Sequence, residues 1–126
     1  MSKLFDTTID ALSKSLDMHL LRHAVITDNI ANAETPFFKA RRVDFEAALD
    51  AAVKAEGTSI ADRGIDSVKP LVYEDPDSEM GQDLNSVDMD REMARMTKNE
   101  VQYSAATQVV SKKFALLKYA VTEGGR

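Results

Sequence analysis

The sequence predicts a mainly α-helical protein. Two long heptad helices, one at each end, form an antiparallel coiled-coil-like pair, with a short helix and an irregular or extended middle segment between them. Three observations predict this. First, the 126 residues include only five glycines and three prolines, and none of these lies within 1–35 or 82–123. The strongest breakers of regular structure therefore fall in the middle and at the extreme C-terminus. Second, apolar residues in both end segments recur at alternating spacings of four and three, the period that aims one stripe at a partner helix. Third, residues suited to helix caps stand where those stripes begin and end.

The first helix is expected from about Leu4 to Asn32, with its seam at Phe5, Ile9, Leu12, Leu16, His19, His23, Ile26 and Ile30. Some 28 residues at 1.5 Å each make a rod of about 42 Å. Asn32 suits its C-terminal end, and Pro36 prevents continuation while biasing Thr35 towards extended geometry. The last helix carries Met89, Met93, Met96, Glu100, Tyr103, Thr107, Val110, Phe114, Leu117 and Val121 at the same spacing. Ser86 or Asp88 suits its N-cap, Asp88, Asp90 and Glu92 suit its positive end, and Gly124-Gly125 stops it. The division is thus an N-terminal core helix in 1–35, a middle segment in 36–86 and a C-terminal core helix in 87–126. Within the middle segment a short helix is expected over 44–56, capped by Asp44 and ended by Gly57. Val68 to Tyr73 reads as a short strand that Pro70 confines to an edge or an extended loop. The acidic run Glu74, Asp75, Asp77, Glu79 and Asp83 reads as a solvated loop.

Composition narrows the function classes. With no cysteine, disulfide scaffolds, thiolate metal sites and cysteine nucleophiles are excluded. A net charge of −5 argues against nucleic-acid binding. That charge lies in 36–86, because the ends, −2 and +2, cancel. No apolar run approaches the ~20 residues that span a bilayer, so the chain is not itself membrane-spanning. The N-terminus lacks the apolar core of a secretory signal, which makes a cytoplasmic protein the default unless it leaves by another route.

His19 and His23 share a helix face, but a metal site needs further ligands, and packing or a hydrogen bond is the simpler role. Asp88 and Asp90 sit where caps belong. No phosphate-cradling loop, catalytic triad or metal cluster is present, so no enzyme activity, catalytic residue, metal or cofactor is expected. Both end helices carry surplus apolar residues off the seam: Leu20, Leu21, Ala24, Val25 and Ala31 on the first, and Val101, Ala105, Val109, Leu116 and Ala120 on the last. Either helices of other subunits or a folded-back middle segment would cover them.

Two motifs are more specific. Asn29-Ile30-Ala31-Asn32-Ala33-Glu34-Thr35-Pro36 runs on to Phe38-Lys39-Ala40-Arg41 and Val43-Asp44-Phe45. Leu84-Asn85-Ser86-Val87-Asp88-Met89-Asp90-Arg91-Glu92-Met93 leads to Asn99, Tyr103 and Ala105. Together they resemble the signatures of the bacterial flagellar rod and hook axial proteins, over most of the chain except 57–83. The matching residues are Asn29, Asn32, Thr35, Pro36, Phe38, Asn85, Val87, Asp88, Met89 and Asp90. One departure is visible: the family usually has glycine where this chain has Phe37. A β-carbon disfavours left-handed backbone, so no tight glycine-type turn is expected there, and Phe37 is expected to add an apolar contact instead.

The resemblance implies a structural subunit of the basal-body rod that polymerises helically and transmits torque. The seam residues Phe5, Ile9, Leu12, Leu16, Ile26, Ile30, Met89, Met93, Met96, Tyr103, Val110, Phe114, Leu117 and Val121 would serve the subunit interface. Implied partners are further copies, the rod proteins FlgC and FlgF, the rod base protein FliE, the MS-ring and export-gate region, and the flagellar type III export apparatus. That route implies export into the periplasm without a cleaved signal peptide. Phe5-x-x-x-Ile9 resembles the short export signal of early substrates. The residues alone also fit a soluble helical adaptor or chaperone binding one partner through its heptad stripes.

Overall fold

The computed structural model describes residues 2–47 and 68–124, and side chains from Thr8 onward within them. Its order is helix α1 (Ser2–Ala31), strand β1 (Arg41–Asp44), strand β2 (Leu71–Glu74) and helix α2 (Met89–Glu123). At 1.5 Å per residue the helices are about 45 and 52 Å long. They run antiparallel side by side: His19 meets Asn99, Asn29 meets Glu92, and Ile9, Leu12 and Leu16 flank a groove with Val110 and Phe114. The pair has a closed end, where the chain passes through the middle segment, and an open end, where the two termini lie.

The helix ends follow the expected chemistry. Past Ala31, Asn32 donates twice to the Asp28 carbonyl, from its backbone N–H at 3.1 Å and from its side-chain amide at 2.8 Å, which closes the last turn. At the start of α2 it is Asp88 that caps, in extended backbone, its Oδ1 accepting from the Arg91 N–H at 3.1 Å. Gly124 closes that helix in right-handed geometry, its N–H donating to the Ala120 carbonyl.

The seam differs from the heptad reading by one residue in alternate positions. On α2 the inward stripe is Glu92, Met96, Asn99, Ala106, Val110, Lys113 and Leu117, buried or half-buried, while Met93, Glu100, Thr107 and Phe114 are exposed. On α1 the buried positions are Met18, Val25, Ile26 and Asn29, and His23 is exposed. The cause is chemical: Glu92 and Asn99 are polar, yet each has polar partners on α1, so they occupy the seam that the four-three spacing assigns to Met93 and Glu100.

β1 and β2 form a two-stranded antiparallel sheet, with Arg41 opposite Glu74 and Asp44 opposite Leu71. Strand β2 begins directly after Pro70, later than Val68; β1 is an element the sequence reading did not contain. Asp44 ends β1 and its Oδ1 accepts from the Ala47 N–H at 2.8 Å, the bond expected of a helix cap. The remainder of the helix expected over 44–56, from residue 48, lies outside the described residues. No described helix is long and apolar enough to cross a membrane.

Among the described residues the core is small and gathered towards the closed end. Its apolar members are Met18, Val25, Ile26, Ala40 and Val68; its polar members are Asn29, Asp75, Asn85, Ser86, Glu92 and Asn99. The exposed stripe of α2, including Val101, Val109 and Leu116, has no cover among the described residues.

Candidate functional site

The two sequence motifs, whose joined residues are 46 to 53 positions apart, meet at the closed end. Asn85 joins them. Its Nδ2 donates to the carbonyls of Asn32 and Thr35 at 2.8 and 2.6 Å, while its Oδ1 accepts from the Val87 N–H at 2.7 Å. Ser86 adds two more links: its N–H donates to the Phe38 carbonyl, and its Oγ accepts from the Ala40 N–H. A buried side-chain amide can hold two loops because it offers donors and an acceptor in one rigid plane. The corner after α1 and the approach to α2 are therefore one unit.

Asn29 does similar work one turn earlier. Its amide pairs with both backbone groups of Arg41, accepting from the N–H and donating to the carbonyl, each at 2.9 Å. The side chain thus acts as a short stretch of neighbouring strand on the outer edge of β1. Asn29 Nδ2 also lies 3.0 Å from Glu92 Oε2.

Glu92, only 1% exposed, is the centre of a charged cluster. Its other oxygen accepts from Arg95 at 2.6 Å and lies 3.5 Å from Arg42. Arg42 donates from Nε to Asp75 at 2.7 Å and also pairs with it through a terminal nitrogen; Arg95 lies 3.5 Å from the same carboxylate. Two cations and two anions from β1, the strand exit and α2 thus balance one another. Asp75 leaves the acidic run for this cluster, so the solvated-loop reading is corrected at that residue. Among the described residues every buried side-chain nitrogen and oxygen has a hydrogen-bond partner. The arrangement is suited to fixing geometry.

His19 takes the hydrogen-bonding role: its Nδ1 lies 2.9 Å from Asn99 Oδ1, and Asn99 Nδ2 donates to the His19 carbonyl at 2.8 Å. Among the described residues no group of three His, Cys, Asp or Glu side chains is placed to hold a metal ion.

The expectation for Phe37 is overturned. Its φ is +63°, left-handed backbone, and its side chain is 72% exposed. The left-handed turn that a β-carbon disfavours is made here by phenylalanine, held by the Thr35 carbonyl to Phe38 N–H bond and by the Asn85 links. The aromatic ring stays largely exposed.

The other motif and seam residues are distributed as follows. Asn32, Phe38 and Val87 are half-buried, and Thr35, Pro36, Asp88 and Asp90 are exposed. Ile26 is buried; Ile9, Leu12, Leu16, Ile30, Met96, Val110 and Leu117 are half-buried; Met89, Met93, Tyr103, Phe114 and Val121 are exposed. The Phe5 side chain lies outside the described residues. Sequence reasoning missed the cluster of Arg42, Asp75, Glu92 and Arg95. One signal was available: Glu92, Asn99, Ala106 and Lys113 repeat every seven residues, the mark of a stripe even when its first members are polar.

No family model matches the chain. Among curated proteins, it is 34% identical to the flagellar basal body rod protein FlgB of Bacillus subtilis (strain 168), over 96% of this chain and 98% of that protein. The FlgB of Borrelia hermsii is also 34% identical, over 88% of this chain and 93% of the relative. That of Escherichia coli (strain K12) is 29% identical over 84% and 86%. Similarity that runs through both end helices and the corner joining them, in bacteria this different, places the chain in the FlgB family of flagellar basal body rod proteins.

Proposed function

We propose that this rod subunit polymerises helically through the faces of α1 and α2 left uncovered in the single chain, and that the resulting bundle carries torque. The observation that supports this is the exposed stripe of α2. Val101, Leu116 and Tyr119 share that face and are each more than 60% exposed, which is costly in water and favourable against a neighbouring helix. The exposed seam members Met89, Met93, Tyr103, Phe114 and Val121 form a second face of α2, beside the inward stripe, and the half-buried Ile9, Leu12, Leu16, Val110 and Leu117 line its margin. The neighbours would be copies of this chain, FlgC, FlgF and FliE at the base near the MS ring. The site is the periplasm-crossing rod, reached through the type III export apparatus without a cleaved signal. The buried polar corner fixes the angle at which the middle segment leaves the helices. Its role is structural, not catalytic.

The test is complementation of a strain lacking this gene. The unaltered chain is expected to restore rods and swimming. Val101→Asp with Leu116→Asp is expected to abolish both while the purified variant keeps its helix content by circular dichroism. Full motility with that variant would overturn the proposal.

A further inference from the structure

The outer edges of β1 and β2 differ in what covers them. Ala40 and Asp75 are a hydrogen-bonded pair across the sheet, the Asp75 N–H donating to the Ala40 carbonyl at 2.8 Å. Such pairs alternate along an antiparallel ladder, so Tyr73 and Leu71 also turn their backbone groups to β1. Val72 and Glu74 turn theirs away. On the far side of β1, Asn29 covers the outward groups of Arg41. The N–H and C=O groups of Val72 and Glu74 have no partner among the described residues. This edge is also apolar and open, with Leu71, Val72 and Tyr73 53%, 41% and 36% exposed. An uncovered strand edge is a template for another strand.

Prolines bound the edge symmetrically. Pro70 and Pro76 each stand three residues from Tyr73, and neither has an N–H to offer. The outward donors are those of Val72 and Glu74, one on each side of Tyr73. A second, antiparallel copy of the same strand fits this pattern in one register. Val72 of each copy faces Glu74 of the other and exchanges both bonds with it, and the two Tyr73 residues face each other. Proline then opposes proline, and every outward group of Val72 and Glu74 is paired. Sliding by two residues sets Val72 or Glu74 against a proline and leaves a carbonyl without a donor. Charge agrees with this register. The Glu74 carboxylate is already held by Lys39 at 3.0 Å. Exposed Lys69 of one copy flanks the strand on the side where the other carries exposed Asp77 and Glu79. Arg91 reaches that turn at the Asp77 carbonyl.

We propose that two copies of the chain pair through β2, edge to edge and antiparallel about Tyr73, into one four-stranded sheet. A two-stranded sheet is marginal alone and gains from added strands, and a facing aromatic pair adds to the contact. The same patch is used on both copies, so association stops at two. Copies related by a two-fold axis cannot hold successive places in a helically repeating shaft, where one screw step relates each to the next. The dimer therefore belongs to the unassembled chain and competes with polymerisation. Only this last consequence rests on the rod-subunit reading.

The experiment uses the full chain, unaltered and with Val101→Asp and Leu116→Asp, which remove association through that face of α2. Sedimentation velocity on the latter is expected to show a monomer passing to a dimer as concentration rises. In the same background, Val72→Pro deletes an outward donor and no bond to β1, and Tyr73→Lys sets like charges face to face. Each is expected to weaken the dimer at least tenfold with helix content unchanged. The chain has no cysteine, so a single introduced thiol reports the register. Tyr73→Cys is expected to cross-link two copies under mild oxidation, because facing residues of a non-hydrogen-bonded pair lie about 4.5 Å apart at Cα, within disulfide reach. Leu71→Cys, about 14 Å from its counterpart along the strand, is expected not to. A monomer at every concentration, which leaves the edge to a strand of another protein or to none, overturns the proposal. So does association unaltered in Val72→Pro and Tyr73→Lys, or equal cross-linking at positions 71 and 73. In the complementation assay Val72→Pro is expected to restore rods and swimming as the unaltered chain does; loss of rods would put this edge inside the shaft and overturn its assignment to the unassembled chain. Failure of the unaltered chain to restore rods sinks the rod-subunit reading alone, and the cross-links still judge the dimer.

Discussion

Phe37 shows what one residue contributes through backbone alone. Left-handed geometry costs an L-residue roughly 1–2 kcal/mol, which glycine avoids at the expense of about 0.5–1 kcal/mol in the unfolded chain. Phe37→Gly is therefore expected to leave stability unchanged or raise it by up to about 1.5 kcal/mol, and β-branched Phe37→Val to lower it, as read from urea denaturation midpoints. Glu92 is the opposite case, a residue whose side chain is everything. Removing it leaves Arg95, Arg42 and Asn29 facing a void that water reaches poorly. Breaking a buried pair of this kind costs about 3 kcal/mol or more. Glu92→Ala is expected to lose that much, and Glu92→Gln, which keeps an acceptor oxygen, distinctly less. Neither residue was legible in the sequence. Phe37 was judged by its own intrinsic preference, which four hydrogen bonds from the surrounding corner override. Glu92 reads as an acidic residue suited to a helix start, and only the partners brought by β1 and α1 make it a core residue.

At the scale of the helix and the strand, local signals were sufficient for existence and insufficient for facing. Asn32, Pro36, Asp88 and Gly124 mark helix boundaries because caps act within one turn of chain. The four-three spacing established both helices and their antiparallel pairing. It could not choose between two stripes that share Met96, Tyr103, Val110 and Leu117. Apolarity favoured Met93 and Phe114; hydrogen bonding between helices decided for Glu92 and Asn99. Met93→Lys separates the two stripes: at a position 50% exposed it is expected to change the stability of the isolated chain by less than about 0.5 kcal/mol, whereas Met93 on the inward face would make the same change cost several times more. The β1–β2 pair was less legible still. Strands of four residues carry too few side chains for a period of two to show, and this sheet depends on a side chain, Asn29, to occupy the outer edge of β1 at Arg41.

For the whole molecule, the distribution of burial predicts a gradient of stability along the helix pair. Every described residue less than 9% exposed lies between Met18 and Asn99, where the polar network adds to the packing. The stretches 8–17 and 100–124 hold none. A helix with so little tertiary support is marginal in water, and hydrogen exchange reports such local opening directly. In the monomer, amides of α1 from about residue 18 and of α2 up to about residue 100 are expected to exchange slowly, and those towards both termini at least tenfold faster. Within an assembled rod the terminal amides are expected to slow to match the rest, because neighbouring helices then supply the burial that one chain lacks. Uniform slow exchange along both helices of the monomer would mean that the pair is self-sufficient, and would remove the energetic reason for its ends to seek neighbours.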